Sequence, residues 1–465
     1  MPALPQPSDY RPDPVILELA DFIGDPVEAA RFPATILRFR NDRWSPAIGL
    51  DTLTDDAWLA HFGRFEPLPG NLPQPLALRY HGHQFRSYNP DLGDGRGFLF
   101  AQLRDNADRL LDLGTKGSGQ TPYSRFGDGR LTLKGGMREV LATEMLESLG
   151  VETSKSFSLI ETGEALDRND EPSPTRSAVL VRLSHGHIRI GSFQRLATIG
   201  DTEALARLVD YALVHYHGDT PGDEAPARLL HHVIAKTARL AASYMAAGFV
   251  HGVLNSDNIA ISAESFDYGP WRFTPHWEPG FTAAYFDQTG LYCFARQAQA
   301  IHWDVVQLAV ALRELAPAEA LIPALEAFPG LYETALHRAL IDRLGVVPRG
   351  DAEDAELATS IVDSLDGNDL LIDRFFFDWR GGRERAQTYD APVFDRFRKL
   401  VASYAPVGPM THAYWSDAEP CSMHVDEVES IWSRIDVADD WTPFYDKVAA
   451  IRRMGEAHRE IGEHG

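Results

Sequence analysis

The chain of 465 residues contains little cysteine and no long run of apolar residues. Because only Cys293 and Cys421 occur, a disulfide framework is excluded, one bridge remains possible, and a reducing compartment is expected. Nowhere do about 18 apolar residues follow one another, as a membrane-spanning helix would require. Residues 1–14 also lack the apolar stretch of a signal peptide. We therefore expect a soluble, cytoplasmic protein without a membrane partner.

Positive charge is also scarce, with 44 basic against 67 acidic residues and a net charge of -23. Nucleic-acid binding requires a basic surface that can neutralise phosphates, so no nucleic-acid partner is expected. Internal repeats and low-complexity tracts are absent from the sequence as well. The length suits either one large two-lobed core or two to three ordinary domains.

The residue patterns divide the chain into four predicted segments. Residues 1–78, rich in proline and aromatics, form an extension packed on the core. Residues 79–195 form a β-rich nucleotide-binding lobe, residues 196–400 a helical lobe with the catalytic loop and metal site, and residues 401–465 a helical tail. The predicted fold class is α+β and protein-kinase-like, with a small β-rich lobe, one crossing helix and a larger helical lobe.

Individual elements follow from periodicity. Strands are predicted over residues 95–103, 111–116, 177–183 and 187–193, with the last two joined in a hairpin by residues 184–186. The crossing helix is predicted over residues 136–149, because apolar residues recur there every four positions and Gly150 follows. Further helices are predicted to end at Gly248 and to span residues 301–315 and 441–460.

The most informative stretch is residues 251–258, His-Gly-Val-Leu-Asn-Ser-Asp-Asn, followed by Asp-Tyr-Gly at 267–269. Kinases carry H-R-D-x-x-x-x-N and then D-F-G, in which the first Asp handles the hydroxyl proton and the Asn and second Asp hold metal. Asn258 and Asp267 occupy the metal positions. Val253 occupies the position of the base and cannot accept a proton, so Asp257 is the nearby carboxylate that remains. The pattern indicates metal-nucleotide binding with altered chemistry.

A lysine and a glutamate are candidates for positioning phosphates. Lys116 ends an apolar-alternating strand and precedes Gly-Ser-Gly, while Glu139 lies on the crossing helix. A buried lysine needs a carboxylate partner, and such a pair positions the nucleotide in kinases. Two unrelated surface charges are the alternative interpretation.

Two glycine-bearing turns and two arginines complete the candidate set. The turns, residues 93–97 and 125–130, would let a backbone approach phosphates or would be ordinary turns. Arg182 lies within an apolar strand and Arg189 follows it, which suggests either a phosphate clamp or structural salt bridges. The histidine pairs at 81 and 83, 185 and 187, and 231 and 232 lack the spacing of a zinc site.

Together these motifs resemble the SelO (selenoprotein O, YdiU) family of protein adenylyltransferases. The resembling motifs are residues 80–85, 92–96, 116–130, 138–139, 184–185 with Arg189, 251–258 and 266–270. The resemblance implies a kinase-like fold that binds ATP in a flipped orientation and transfers AMP to a protein Ser, Thr or Tyr hydroxyl, releasing pyrophosphate. ATP and such proteins are therefore the expected partners.

The resemblance also implies roles for individual residues. Asp257 would accept the hydroxyl proton, Glu139 would pair with Lys116, and Asn258 and Asp267 would hold Mg²⁺ or Mn²⁺. The residues implied to bind the nucleotide are Gly93, Gly95, Arg96, Lys116, Asp128, Gly129, Arg182, Arg189 and Asp267. Relatives often carry Cys or selenocysteine near the C-terminus, whereas residues 460–465 read Glu-Ile-Gly-Glu-His-Gly, so redox control through that residue is not implied.

Three alternatives share the same nucleotide site. The enzyme would transfer UMP from UTP with Mn²⁺, it would transfer the γ-phosphoryl group, or, as Val253 suggests, the chain would be a catalytically silent nucleotide-binding scaffold. Sequence patterns identify neither the protein substrates nor the oligomeric state.

Overall fold

The computed structural model describes residues 6–169, 171–385 and 389–460, so the C-terminal stretch 461–465 discussed above lies outside the described residues. Eight strands form one antiparallel sheet, and two short pairs lie apart from it. The strands are β1 (Gly24–Pro26), β2 (Ile36–Arg40), β3 (Leu76–Leu78), β4 (Gly82–Gln84), β5 (Ser87–Asn89), β6 (Leu99–Arg104), β7 (Leu110–Lys116), β8 (Leu131–Thr132), β9 (Lys155–Leu166), β10 (Thr175–Ser184), β11 (Phe249–Val250) and β12 (Arg272–Phe273).

Twelve α-helices of at least seven residues lie within the described ranges. They are α1 (Asp55–Phe62), α2 (Leu133–Ser148), α3 (Ile190–Ile199), α4 (Thr202–Ala212), α5 (Ala225–Ala247), α6 (Gln297–Leu312), α7 (Ala318–Leu344), α8 (Asp351–Leu365), α9 (Ile372–Asp378), α10 (Asp395–Val401), α11 (Val425–Ala438) and α12 (Thr442–Glu460). Among these described helices, none combines the length and apolar character needed to cross a bilayer.

The main sheet runs in the order β1-β3-β6-β7-β10-β9-β2, and β8 pairs with β10. Most residues of β6, β7, β9 and β10 are buried on both faces of the sheet, because both faces are covered. Leu159 and Leu180 pack in the cluster that contains the side chains of α2, whereas Phe157, Val181 and Trp58 belong to the cluster around α1. The sheet therefore has helices on both sides and gives its strand ends a fixed position.

The predicted α+β class is confirmed, with a β-rich part crossed by one helix, α2, and a larger helical part from α3 onwards. The crossing helix begins at Leu133 rather than 136, and α5 ends at Gly248, which adopts a left-handed conformation with φ of 68°. The four-segment division stays a prediction. β1, β2 and β3 come from residues 1–78, yet they are strands of the main sheet.

The strand predicted over residues 187–193 is wrong, and so is the hairpin that would lead into it. α3 begins at Ile190, with Arg189 as its N-terminal boundary residue. Ile190, Phe193 and Leu196 recur every three residues and are buried in the core. The short alternation of apolar residues at 188 and 190 is thus overridden by a helical stripe that extends beyond it.

The C-terminal helix α12 braces the crossing helix α2. Arg452 on α12 donates two hydrogen bonds of 2.6 and 2.8 Å to the buried carboxylate of Glu144 on α2. Gly455 allows a close approach, since a Cβ there would lie 2.7 Å from the Ser148 hydroxyl oxygen. The helix predicted over residues 441–460 is therefore confirmed.

Candidate active site

A cleft of about 840 Å³ lies between the ends of the main sheet and the loop at residues 251–258. All nine residues implied to bind the nucleotide line it, together with Asp257. Glu139 lies behind Lys116, and Asn258 is not among the lining residues. Further side chains that line the cleft are Tyr80, Gln84, Leu92, Asp94, Thr115, Tyr123, Ser124, Arg125, Phe126, Arg130, Asp167, Arg168 and Asn169.

The pairing of β7 with β10 presents Lys116 and Arg182 to the same side of the sheet. Lys116 lies opposite Leu180, and Arg182 lies two residues further along β10, opposite Gly114. Directly paired residues share a face, as do residues two apart on a strand. Gly114 makes room beside them, because a Cβ there would lie 2.1 Å from Nε2 of His187.

Lys116 joins two carboxylates from different elements. Its Nζ contacts Oε1 of Glu139 on α2 and lies 2.6 Å from Oδ1 of Asp267, and Nη1 of Arg182 lies 3.4 Å from the same oxygen. Burial alone would raise the pKa of Asp267, but the charges of Lys116 and Arg182 hold it well below its ordinary value. Asp267 is thus an ionised carboxylate whose backbone adopts the left-handed conformation, with φ of 63°.

Arg189 connects the sheet side of the cleft to the catalytic loop. Nη1 donates to the backbone carbonyl of Asp257 over 3.1 Å, and Nη2 lies 3.4 Å from Oδ1 of Asp94. The guanidinium also lies over the ring of Tyr80, 4.2 Å from its centroid. Asp94 was missed by the sequence reasoning, although its place between Gly93 and Gly95 was the available signal. Burial raises the pKa of Asp94 against the effect of Arg189.

Asp257 differs from the other carboxylates of the cleft. Its Oδ1 is buried and has no hydrogen-bond partner in the described part of the chain. Burial raises its pKa to about 6, opposed by the charge of Arg189. Gly82 packs directly against it, since a Cβ at that glycine would lie 2.9 Å from Cβ of Asp257. The side chain thus packs against Gly82, while its Oδ1 has no hydrogen-bond partner among the described residues.

The glycines of both predicted loops are required by close packing. A Cβ at Gly93 would lie 2.3 Å from the ring of Tyr123. Gly129 has φ of 71°, and a Cβ there would lie 2.2 Å from the carbonyl carbon of Gly119. Asp128 pairs with Arg168 over 2.9 Å, which brings the β9–β10 connection to the rim of the cleft. No sequence signal pointed to Arg168, because its partner lies 40 positions away.

The residues implied to hold a metal offer oxygen atoms only. Nδ2 of Asn258 donates to the carbonyl of Val253 over 2.9 Å, which leaves the side-chain oxygen for a cation. Across the described ranges, no three His, Cys, Asp or Glu side chains are grouped as a metal site. Mg²⁺ commonly takes one or two protein carboxylates and completes its shell with water and phosphate oxygens. The donor set therefore fits a divalent cation that enters with a nucleotide.

Comparisons with known proteins identify the family of the chain. A family model described as protein adenylyltransferase SelO matches residues 9–408. A protein nucleotidyltransferase YdiU of a Synechocystis species is 48% identical over 477 residues, covering 95% of this chain and 97% of the relative. The protein of the same description from Gloeobacter violaceus is 42% identical over 471 residues, covering 96% and 95%.

Solved structures give only loose overlaps. A Toxoplasma gondii rhoptry antigen kinase domain aligns with a TM-score of 0.28 and 12% identity, covering 63% of this chain and 83% of that domain. ROP2 of the same organism, a virulence factor with a protein-kinase fold and no enzymatic activity, aligns with a TM-score of 0.27 and 10% identity, covering 65% and 86%. At these TM-scores the overlaps support no conclusion about the function of the chain.

The family model and the relatives cover nearly the whole chain, at identities well above those that mark a shared family. The chain therefore belongs to the SelO family of protein adenylyltransferases.

Proposed function

We propose that this enzyme transfers AMP from ATP to Ser, Thr or Tyr hydroxyls of proteins and releases pyrophosphate. The observation that carries the proposal is the division of charge in the cleft. Lys116, Arg182 and Arg189 are buried cations on the sheet side, whereas Asp257 presents an unpaired carboxylate oxygen from the catalytic loop. Such a division suits a reaction that builds negative charge on one side and releases a proton on the other.

The cations serve the leaving group. In this proposal the β- and γ-phosphates lie against Arg96, Lys116, Arg182 and Arg189, so that fixed positive charge stabilises pyrophosphate as it forms. Glu139 and Asp267 keep Lys116 in place, because its ammonium contacts both. Gly93, Gly95 and Gly129 let the backbone approach the nucleotide, and Asp128 orders the rim through Arg168.

Asp257 serves the acceptor. The hydroxyl oxygen attacks the α-phosphorus, the bond from that phosphorus to the oxygen bridging to the β-phosphate breaks, and the hydroxyl proton passes to Asp257. With a pKa of about 6, this carboxylate is ionised at neutral pH and is a stronger base than an exposed aspartate. Val253, at the position where kinases carry the base, has no group that accepts a proton.

A divalent cation, Mg²⁺ or Mn²⁺, would neutralise charge at the α-phosphate when bound, and Asn258 and Asp267 are the residues that would hold it. Their oxygens fit such a cation, and Asp267 is ionised because Lys116 and Arg182 lie beside it.

The test uses ATP labelled at either the α- or the γ-phosphate, with Mg²⁺ and separately with Mn²⁺. We expect protein-bound α-label, no bound γ-label and release of pyrophosphate, with Asp267→Ala as the inactive control. Bound γ-label with ADP release would replace the proposal with phosphoryl transfer. Stronger labelling from α-labelled UTP would change the transferred group to UMP. If ATP raised the melting temperature yet no product formed with either metal, a scaffold role would be indicated.

A further inference from the structure

The β4–β5 hairpin carries an unusual turn. Its two central residues, Phe85 and Arg86, both adopt left-handed conformations, with φ of 48° and 63°. Two-residue turns of this kind normally use Asn-Gly or Asp-Gly, because a Cβ disfavours positive φ. A bulky aromatic residue and an arginine are therefore held in a costly backbone conformation. Strain of this kind is concentrated at functional sites.

The catalytic loop holds the hairpin in position. The backbone N–H of His83 donates to the Ser256 hydroxyl over 2.8 Å, and that of Phe85 donates to Oδ1 of Asn255 over 3.0 Å. Gly82, at the start of the same hairpin, packs against Asp257. The turn is thus fixed relative to the carboxylate proposed to accept the proton.

Three exposed aromatic side chains meet at this turn, and we call them the aromatic platform: Phe85, Tyr285 and Phe286. They are 39%, 83% and 46% exposed. The ring centroids of Phe85 and Phe286 lie 5.9 Å apart, and those of Tyr285 and Phe286 lie 5.1 Å apart. The buried Tyr292 supports the platform from below, because its hydroxyl donates to the same Oδ1 of Asn255 over 2.7 Å.

A cation lies beside the platform. Arg86 is exposed, its guanidinium lies 5.4 Å from the ring centroid of Trp303, and it forms no ion pair with any residue in the described ranges. Its charge acts on the buried Asp304, but no carboxylate of the described residues lies within ion-pair distance of it. In a chain with a net charge of -23, this exposed guanidinium at a strained turn is suited to an acidic group from outside.

The platform lies outside the nucleotide cleft but next to it. Gln84 lines the cleft and Phe85 follows it, whereas none of the three aromatic residues is part of the lining. Stacking of the adenine ring is thus not the role that this position favours. An acceptor hydroxyl must reach Asp257, and the chain that carries it must leave the cleft across a neighbouring surface.

We propose that the aromatic platform and Arg86 bind the segment of the protein substrate that carries the acceptor hydroxyl. The occupant is an extended segment with an apolar or aromatic side chain within a few residues of the acceptor and an acidic side chain near Arg86. The inference rests on the proposed AMP transfer to proteins. It adds the side-chain chemistry by which the acceptor segment is selected.

The experiment uses a peptide library with a fixed central Ser, Thr or Tyr and randomised neighbours, together with α-labelled ATP. The full-length enzyme is expected to label peptides enriched in aromatic or aliphatic residues and in Asp or Glu. Replacing two of the three exposed rings, as Tyr285→Ser with Phe286→Ser, is expected to lower kcat/KM for a selected peptide about tenfold or more. Arg86→Glu is expected to change the preferred charge from acidic to basic. Val437→Ser removes a similarly exposed side chain from α11 and is the matched control.

Two further measurements separate the possible failures. ATP affinity, measured by calorimetry for each variant, distinguishes a damaged nucleotide site from lost peptide binding, and α-labelling of the enzyme itself reports nucleotide transfer. If the unmodified enzyme labels neither peptides nor itself, the proposed function fails and this inference fails with it. If it labels itself but no peptide, or labels peptides without side-chain preference or dependence on the platform, only the docking inference is overturned.

Discussion

The two sides of the cleft handle charge in opposite ways. On the sheet side, Lys116 contacts Glu139 and Asp267, and Arg182 contacts Asp267 as well. On the catalytic-loop side, Asp257 has a buried oxygen without a hydrogen-bond partner in the described chain. The cations proposed to bind the phosphates are held by carboxylates, whereas the carboxylate proposed to receive the proton keeps an oxygen free. From this comparison we predict which substitutions weaken ATP binding, which slow the transfer reaction, and which change neither.

The largest effect is expected from Asp267→Ala, which removes the carboxylate contacted by both Lys116 and Arg182. The sheet side then loses the anion that orders its cations, and the proposed metal loses a ligand. Transfer of α-label to protein should fall by about 10³-fold or more. Asp369→Ala, which removes a fully exposed carboxylate, should retain full activity. Normal activity of Asp267→Ala would contradict the assignment of this side to the nucleotide.

Asp257→Asn should separate chemistry from binding. The amide keeps the size of the side chain but does not act as a base, so the labelling rate should fall about 10²–10⁴-fold. ATP affinity, measured by calorimetry, should change little, because Arg189 bonds the backbone carbonyl of Asp257, which the substitution leaves in place. If Asp257→Asn lost ATP binding together with activity, the two sides of the cleft would not have separate roles in binding and chemistry.

Lys116→Met should weaken ATP binding and also destabilise the protein without nucleotide. Glu139 is 1% exposed, and removing its cation leaves a buried, uncompensated charge. The free energy of unfolding, measured by denaturant titration, should fall by about 3–5 kcal/mol. Adding Glu139→Gln should recover part of this loss while ATP affinity stays low. An unchanged unfolding midpoint for Lys116→Met would show that the contact between Lys116 and Glu139 does not stabilise the folded protein.

The smallest effect concerns Asp304 on α6, a second buried carboxyl on the side of Asp257. Burial, reinforced by the charge of Asp257 and opposed by Arg86, raises its pKa well above the ordinary value. Because the folded-state pKa is raised, the protonated carboxyl favours the folded state at low pH, and this contribution to stability is lost as pH rises above the unfolded-state pKa of about 4. Asp304→Asn removes that loss.

Thermal denaturation between pH 4 and pH 8 checks this expectation. The melting temperature of Asp304→Asn should exceed that of the unmodified protein at pH 7, and the difference should shrink towards pH 4. Asp436→Asn, at an exposed position of α11, should show no such trend. A difference that grew at low pH would have the wrong sign for a neutral buried carboxyl.

Much of the cleft could be predicted from the sequence because its chemistry follows motif spacing. Lys116 was paired with Glu139 from a strand, a glycine-rich turn and a helix, and the structure places them in contact. Asp257 was identified because Val253 lacks a titratable group. Both inferences depend on residue patterns within short segments, and these patterns can be recognised without knowing the tertiary contacts.

The remaining features depend on contacts between distant segments. Arg189 was assigned to a strand, whereas it precedes α3, whose apolar stripe extends beyond the stretch that was considered. Arg168 reaches the cleft only because the β9–β10 connection folds back onto Asp128. The turn at Phe85 and Arg86 was not predicted, since neither residue type favours positive φ and the tether at Asn255 lies 170 positions from Phe85.

The contact between α12 and α2 restricts how far the helix that carries Glu139 can move. Many protein kinases are switched by moving the helix that carries the glutamate, which breaks or restores its pair with the lysine. Here that helix is anchored from behind by Arg452 and by the close approach of Gly455 to Ser148. The position of α2 that pairs Glu139 with Lys116 is therefore also fixed by its contacts with α12. Moving α2 away from Lys116, as kinases do, would require α12 to detach from α2 as well, so the C-terminal helix decides whether this mode of control is open to the protein.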